Sequence, residues 1–265
     1  MRLKISHSTR YEFKEPVRYG LQQLRKTPKS THGQQVKKWS TEIVGGVREL
    51  AFEDFHNNAI ELVRFGGLAE TLEITSTGEV ELRETHGVVG RHLGPAPLWL
   101  YQRQTPRTKP GPGIRALVKE VATGQDLDRL HGLMHAVKAA VAYETGTSQA
   151  DWTAEDALEA GRGVCQDHAH VFISAARELG FPARYVSGYL MLEDRVEQGA
   201  MHAWGEAHVD GLGWVGFDPA NGMSPDAKYV RVATGLDYAE AAPVTGTQVG
   251  GGGEKLSVSI SVELI

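Results

Sequence analysis

The segment GPAPLWLYQRQTPRTKPGPG, residues 94–113, is the strongest constraint on how this chain can fold. It holds five of the chain's eleven prolines, and proline is excluded from helix interiors and from central strands. The residues before it are patterned for strands, and those after it for helices and strands. We therefore predict a connector between a first unit over residues 1–93 and a second over residues 114–250, as suits a chain of 265 residues.

The first unit is predicted to consist of antiparallel strands. Apolar residues alternate with polar ones from the start of the chain, and residues 45–67 have the pattern of two strands around an Asn57-Asn58 turn. Short strands separated by turn residues are typical of a β-sandwich. Residues 255–265 also alternate strictly, so we expect a last strand within residues 251–265 that pairs with a sheet, for which the N-terminal one is a candidate.

The second unit is predicted to begin with helices. An apolar stripe at helical spacing indicates a helix through residues 127–141. Thr153 and Asp156 have the spacing of a capping box at the start of a second helix. A third helix is expected to start at or just after Cys165, and strands follow, including a hairpin over residues 202–218. The expected fold class is α+β, with helices packed on an antiparallel sheet.

Cys165, in the stretch GRGVCQDHAH, is the only cysteine of the chain. One cysteine excludes an intramolecular disulfide and a zinc site built from cysteines. A lone cysteine is most often a small buried apolar side chain. At the first turn of a helix, however, unpaired N–H groups favour a thiolate, which is the nucleophilic form of the side chain. The position therefore favours a catalytic cysteine if a base lies nearby.

The hairpin HAWGEAHVDGLGWVGFD offers a base and a partner for it. His202 opens the first strand and Asp218 ends the second, so antiparallel pairing brings them to the same end. They share a face of the sheet only if the loop has an odd number of residues, as a three- or five-residue loop around Gly211 does. His202 would then accept the proton of Cys165, and Asp218 would hold the imidazole. The alternatives are a solvated strand end for His202 and a turn before Pro219 for Asp218.

Two runs carry a resemblance to a known family: RGVCQDHAHVFISAARELGFPARYVSGYL and HAWGEAHVDGLGWVGFDPANG. They are similar to the core of the transglutaminase-like superfamily, in its bacterial cysteine-protease-like branch. The N-terminal strands and the tail from residue 232 also resemble that branch, so the resemblance covers nearly the whole chain. It implies a papain-like core with Cys165 as nucleophile, His202 as base and Asp218 as the residue that orients the base.

The implied chemistry is acyl transfer at an amide bond through a thioester, with the backbone N–H of Cys165 as one oxyanion donor. Tyr143 and Gln166 are candidates for the second donor or for a substrate contact. The alternative for Tyr143 is a packing residue at a helix end, and that for Gln166 is a solvated polar residue.

Water as acceptor gives hydrolysis of a peptide or isopeptide bond, and an amine gives transamidation. The calcium sites of animal transglutaminases are not recognisable, which favours hydrolysis. A non-catalytic peptide-binding module on the same scaffold is the remaining alternative.

No cofactor or metal is expected. His168 and His170 lie two residues apart on the predicted helix, so they point in different directions and do not easily share an ion, even with His202 and His208 on the hairpin.

The predicted partner is a peptide or protein substrate. The net charge of −5, without basic residues interleaved with aromatic ones, argues against nucleic acid. No apolar run approaches the roughly 20 residues that span a bilayer, so we expect a cytoplasmic protein whose oligomeric state stays open.

Overall fold

The computed structural model describes residues 1–121, 123–149 and 151–265. Within these ranges the chain forms two large antiparallel sheets, and helices cover one face of the second. This arrangement confirms the predicted α+β class and the predicted helix-on-sheet core. The helices are α1 (Pro112–Glu120), α2 (Asp126–Ala140), α3 (Ala154–Ala160), α4 (Cys165–Glu178) and α5 (Tyr238–Ala241). The strands are β1 (Arg2–Thr27), β2 (Gln34–Val44), β3 (Gly46–Glu53), β4 (Ala59–Leu82), β5 (Val88–Gly90), β6 (Ala142–Tyr143), β7 (Arg162–Gly163), β8 (Ala183–Leu190), β9 (Glu197–Gln198), β10 (His202–Val209), β11 (Gly213–Phe217), β12 (Tyr229–Gly235), β13 (Val244–Gly250) and β14 (Lys255–Leu264).

The first sheet is built on two long strands, β1 and β4, which pair with each other along most of their length. Their register shifts between Glu12 and Val17, so each strand serves two halves of the sheet. β2 and β14 flank one half, whereas β3 and β13 flank the other. Side chains of both halves share one core: Tyr11, Phe13, Val17, Leu24, Val63, Phe65, Leu72 and Ile74. The predicted sandwich is therefore one continuous sheet that folds over itself.

Strands pair across the unit boundaries that the sequence predicts at residues 93 and 250. β5 lies in the predicted first unit but pairs with β11 of the second sheet. β13 lies in the predicted second unit but pairs with residues 17–24 of β1. The physical reason is that β4 covers only one edge of β1. Without β13, the N–H and C=O groups of the other edge between residues 17 and 24 would be left unpaired. The two predicted units therefore exchange strands, and their independent stability stays a prediction.

The second sheet has the strand order β12-β8-β10-β11-β5. Helix α4 packs on one face and is buried from Asp167 to Arg177. The contact is close because Gly205 of β10 lacks a Cβ, which would lie 2.6 Å from the ring of Phe172. α2 packs beside α4 through residues of the predicted stripe, of which these are buried: Leu130, Met134, Val137 and Val141.

The proline-rich connector forms two short 3₁₀ turns, Leu98–Gln102 and Pro106–Thr108. Tyr101 is buried against Trp214, with ring centroids 5.1 Å apart, and holds the connector on the second sheet. α1 then begins at Pro112, because proline is accepted in the first turn of a helix. Among the described helices, none is both long and apolar enough to cross a bilayer.

Two side-chain amides from the first unit bind the outer edge of β12. Asn58 donates from Nδ2 to the carbonyl of Thr234 (2.7 Å) and accepts at Oδ1 from the N–H of Thr234 (2.8 Å). Gln34 makes the same pair of bonds with the backbone of Arg231, at 2.8 Å each. Each amide thus takes the place of a neighbouring strand for one residue. Directional bonds, as well as a shared apolar core, fasten the two sheets together.

We predict that Gly205→Ala destabilises the protein by about 1–3 kcal/mol, because the new methyl group overlaps the ring of Phe172. Chemical denaturation measures the free energy of unfolding. Gly199→Ala is the matched control, since a Cβ there has no atom within 4 Å, and it should stay within about 0.5 kcal/mol of the parent. Equal stability of the two variants would contradict the close contact between α4 and β10.

Candidate active site

Cys165 is the first residue of α4, as predicted, and its side chain is half-buried. The approach to the helix is tight, since a Cβ at Gly163 would lie 2.7 Å from the side chain of Asp167. Asp167 is buried and accepts hydrogen bonds from the N–H of Val164 (2.7 Å) and the hydroxyl of Ser148 (3.1 Å). The first N–H groups of a helix have no intrahelical acceptor, so those beside the thiol are available to an anion.

The hairpin brings His202 and Asp218 together. Val209 pairs with Gly213, so the loop consists of residues 210–212 and has the odd length that a shared face requires. Nε2 of His202 lies 2.7 Å from Oδ2 of Asp218. The side chain of His202 is 12% exposed and that of Asp218 is 0% exposed, so little solvent competes with this hydrogen bond.

The bond with Asp218 leaves the second ring nitrogen of His202 for the thiol, and Cys165 lies near enough to act on the pKa of the ring. Burial disfavours the charged ring. The hydrogen bond with Asp218 and the nearby sulfur of Cys165, together with the negative charges of both groups, outweigh burial and raise the pKa of His202 to about 10. An imidazole held between a carboxylate and a sulfur can form a thiolate–imidazolium pair.

Asp218 is held by a network that extends beyond the three predicted residues. Its Oδ2 accepts hydrogen bonds from the hydroxyl of Tyr229 (2.8 Å) and from Nδ2 of Asn221 (2.7 Å). Burial opposes the charge of this carboxylate, but the bond with His202 and the charge of that ring, with the bonds from Tyr229 and Asn221, lower its pKa. Trp204 stacks on the ring of His202, with centroids 6.2 Å apart. The network holds both the carboxylate and the imidazole in place.

These supporting residues differ in how readily their roles could be predicted from the sequence. Asn221 lies in the turn that follows Asp218, and Trp204 is two residues after His202 and so on the same face of the strand. Continuing the hairpin argument could have found both. Tyr229 lies on β12 and reaches Asp218 only because β12 pairs with β8, which no local pattern signals.

Tyr143 pairs with Gly163, two residues before Cys165, in a short parallel ladder. Partial burial and the negative charges of Cys165 and Asp218 raise the pKa of Tyr143, so its hydroxyl keeps its proton and can donate. Gln166 is half-buried in the first turn of α4, and its side chain makes no hydrogen bond with another described residue. Both residues stay candidates for the second oxyanion donor or for a substrate contact.

Comparison with known proteins gives the family. Residues 115–219 match the model of the transglutaminase-like superfamily core, and residues 3–81 match that of the bacterial transglutaminase-like N-terminal region. The chain belongs to the transglutaminase-like superfamily. The predicted resemblance is confirmed for both parts of the chain.

This transglutaminase-like chain is 28% identical to an uncharacterized protein of Mycobacterium leprae over 275 residues, which cover 98% of each chain. It is 30% identical to an uncharacterized protein of Mycobacterium tuberculosis over 170 residues, which cover 58% of this chain and 54% of that protein. Its structure is similar to that of a provisionally assigned cysteine protease from Cytophaga hutchinsonii. The TM-score is 0.77 and the identity 19%, over 100% of this chain and 91% of the other. That likeness shows a shared fold.

Two histidines near the transglutaminase-like site have a structural role, because their rings bond to backbone groups. The ring nitrogens of His168 lie 2.8 Å from the carbonyl oxygen of Val164 and 2.9 Å from that of Val141. His170 accepts from the N–H of Tyr238 at 3.2 Å, and both rings are buried. In the part of the chain that the structure describes, no group of three His, Cys, Asp or Glu side chains is arranged to bind a metal ion.

We predict that the bond between His202 and Asp218 stabilises the fold fully below about pH 6.5 and that this contribution is lost as the pH rises toward 10. The reason is that the pKa of His202 rises from 6.5 to about 10 on folding, so the charged ring favours the folded state only while it is protonated there. Asp218→Asn removes the charged partner and nearly keeps its shape. Its loss of unfolding free energy relative to the parent, measured by urea denaturation, should shrink across this range.

Asp194→Asn is the control for this experiment, because Asp194 is exposed and, among the described residues, pairs with its neighbour Arg195. Its small effect should not change with pH. A pH-independent loss in Asp218→Asn would mean that His202 is neutral in the folded protein.

Proposed function

We propose that the protein is a cysteine hydrolase of peptide or isopeptide bonds, with Cys165 as nucleophile, His202 as base and Asp218 as the residue that orients the imidazole. One observation carries the proposal: the ring of His202 bonds to the buried carboxylate of Asp218 at 2.7 Å, and Cys165 lies near enough to that ring to help raise its pKa. A histidine between a thiol at a helix start and a buried carboxylate has the geometry that acyl transfer by cysteine requires.

In the proposed reaction, the thiolate of Cys165 attacks the carbonyl carbon of an amide, and the negative charge passes to the carbonyl oxygen. The imidazolium of His202 gives its proton to the leaving nitrogen as the C–N bond breaks, which leaves a thioester. Water then loses a proton to His202 and attacks the thioester, so that a carboxylic acid leaves and the sulfur is released as thiolate. Asp218 keeps its charge throughout and stabilises the imidazolium.

The oxyanion of the tetrahedral intermediate would lie at the start of α4. The backbone N–H of Cys165 is one donor, because the first N–H groups of the helix have no internal partner. We assign the hydroxyl of Tyr143 as the second donor, since Tyr143 pairs with Gly163 just before the thiol and its raised pKa keeps the hydroxyl protonated. Gln166 remains a candidate for a substrate contact in the first turn.

Solvent access favours water as the acceptor. Cys165 is half-buried, and Tyr143 beside it is 55% exposed, so water can reach a thioester from this open side. An amine acceptor would use the same intermediate and give transamidation.

We predict that Cys165→Ala abolishes peptide cleavage, because it removes the sulfur that forms the thioester. His202→Gln should lower kcat/KM roughly 10²–10⁴-fold through loss of proton transfer. Mass spectrometry of a peptide library incubated with the full chain measures the products. A parallel incubation with an added alkylamine distinguishes hydrolysis from transamidation by the mass of the acyl product.

The control for these variants is Lys14→Gln, which changes an exposed side chain outside the site and should cleave like the parent. Cleavage that survives in Cys165→Ala would remove the basis of the proposal.

We predict that Cys165 reacts with iodoacetamide well below about pH 8, because His202 supplies the countercharge for a thiolate. Since the chain has a single cysteine, the mass of the intact protein reports this reaction without background. In His202→Ala the rate at low pH should fall to that of the urea-unfolded chain. The same pH profile in parent and variant would favour the non-catalytic peptide-binding module instead.

A further inference from the structure

A cavity of about 380 Å³ lies between the two sheets, and none of the three proposed catalytic residues lines it. Residues 29–32 and 56–57 line it from the first unit, and residues 89–91 line it from β5 and its end. Four of the lining side chains are cations: Lys29, Arg91, Arg184 and Arg231. A wall with so many cations favours a charged ligand of the opposite sign.

Two of these cations share one carboxylate. Nε of Arg184 donates to Oε2 of Glu206 at 2.6 Å, and Nε of Arg231 donates to Oε1 at 2.8 Å. The side chains of Arg184 and Glu206 are 5% and 0% exposed, so both charges are withdrawn from solvent. One negative charge faces two positive charges, and one positive charge is therefore left uncompensated at the wall of the cavity.

The other charged groups around the cavity leave it positive. Lys29 lies 2.7 Å from Glu53, and this pair has no net charge. Arg91 is exposed and forms no ion pair with another described residue. His56 bonds with Glu240 at 2.7 Å. Glu240 beside a neutral ring and Asp54, which accepts from the N–H of His56 at 2.9 Å, add two negative charges. The guanidinium of Arg25 faces both of these carboxylates, so the sum of the charges around the cavity remains positive.

The arginine pair is also held in place before any ligand arrives. The guanidinium of Arg184 lies over the ring of Trp214, 3.8 Å from its centroid. The backbone of Arg231 is bound by Gln34 at 2.8 Å. Glu206 accepts from Nε of each arginine and, at 3.5 Å, from Nη2 of Arg231, which leaves Nη1 of Arg231 and the terminal nitrogens of Arg184 without a bond to this carboxylate. Donors fixed in this way lose little conformational freedom on binding.

We propose that this cavity binds a small oxyanion, a phosphate or a carboxylate, at the junction of the two sheets. The guanidinium groups of Arg184 and Arg231 offer donors that match the oxygens of such an anion. Arg91 adds positive charge, and the ammonium group of Lys29 offers a further donor. The anion neutralises the excess charge of the wall. Because both units line the cavity, its binding also stabilises their junction.

The test is a titration of the full chain with inorganic phosphate and, separately, with succinate, at an ionic strength held constant with chloride. Calorimetry should show saturable binding of at least one anion, and that anion should raise the Tm. Arg91→Gln and Lys29→Gln should each weaken binding roughly tenfold, as expected for the loss of one charge-assisted contact. Cys165→Ala should bind like the parent, since the cavity is separate from the thiol.

Arg18→Gln is the matched control, because Arg18 is an exposed arginine that does not line the cavity. Tighter binding of phosphate would identify a phosphate ligand, and tighter binding of succinate a carboxylate ligand. No saturable binding of either anion would overturn the proposal. So would equal weakening in Arg18→Gln, or full affinity in both Arg91→Gln and Lys29→Gln.

Discussion

The close contact of α4 with β10 sets the geometry on which the proposed catalytic site depends. Gly205 lets the ring of Phe172 approach the strand, and the helix is buried along most of its length. Cys165 begins this helix and His202 begins this strand, so the separation of sulfur and imidazole follows from packing between two rigid elements. The site therefore needs no loop to close over it before the two side chains meet.

Strand β12 links the junction of the two sheets to the site. Its outer edge binds the amides of Gln34 and Asn58, and its first residue, Tyr229, donates to Asp218. The first unit contributes none of the three proposed catalytic residues. Its amides nevertheless bind β12, and a residue of β12 bonds to the carboxylate of Asp218. Arg231 of the same strand lines the cationic cavity, so an anion bound there would contact this strand as well.

Local patterns account for most of what could be predicted from the sequence. The odd loop between His202 and Asp218 and the capping box of Thr153 and Asp156 join near neighbours, whose geometry follows from the strand and helix periods. The return of β13 to β1 and the bond from Tyr229 to Asp218 join distant parts of the chain. They depend on which sheet edges are open once the chain has collapsed, and periodicity holds no information about that.

The pairing of β1 with β14 has a consequence for the synthesis of the chain. Residues 255–264 leave the ribosome after the entire helical core, so the edge of β1 from Leu3 to Glu12 that they cover stays open until then. An open strand edge is a template for association with other chains, and pairing over such a long separation is slow. A nascent chain of this protein therefore exposes an aggregation-prone edge from the synthesis of β1 until that of β14.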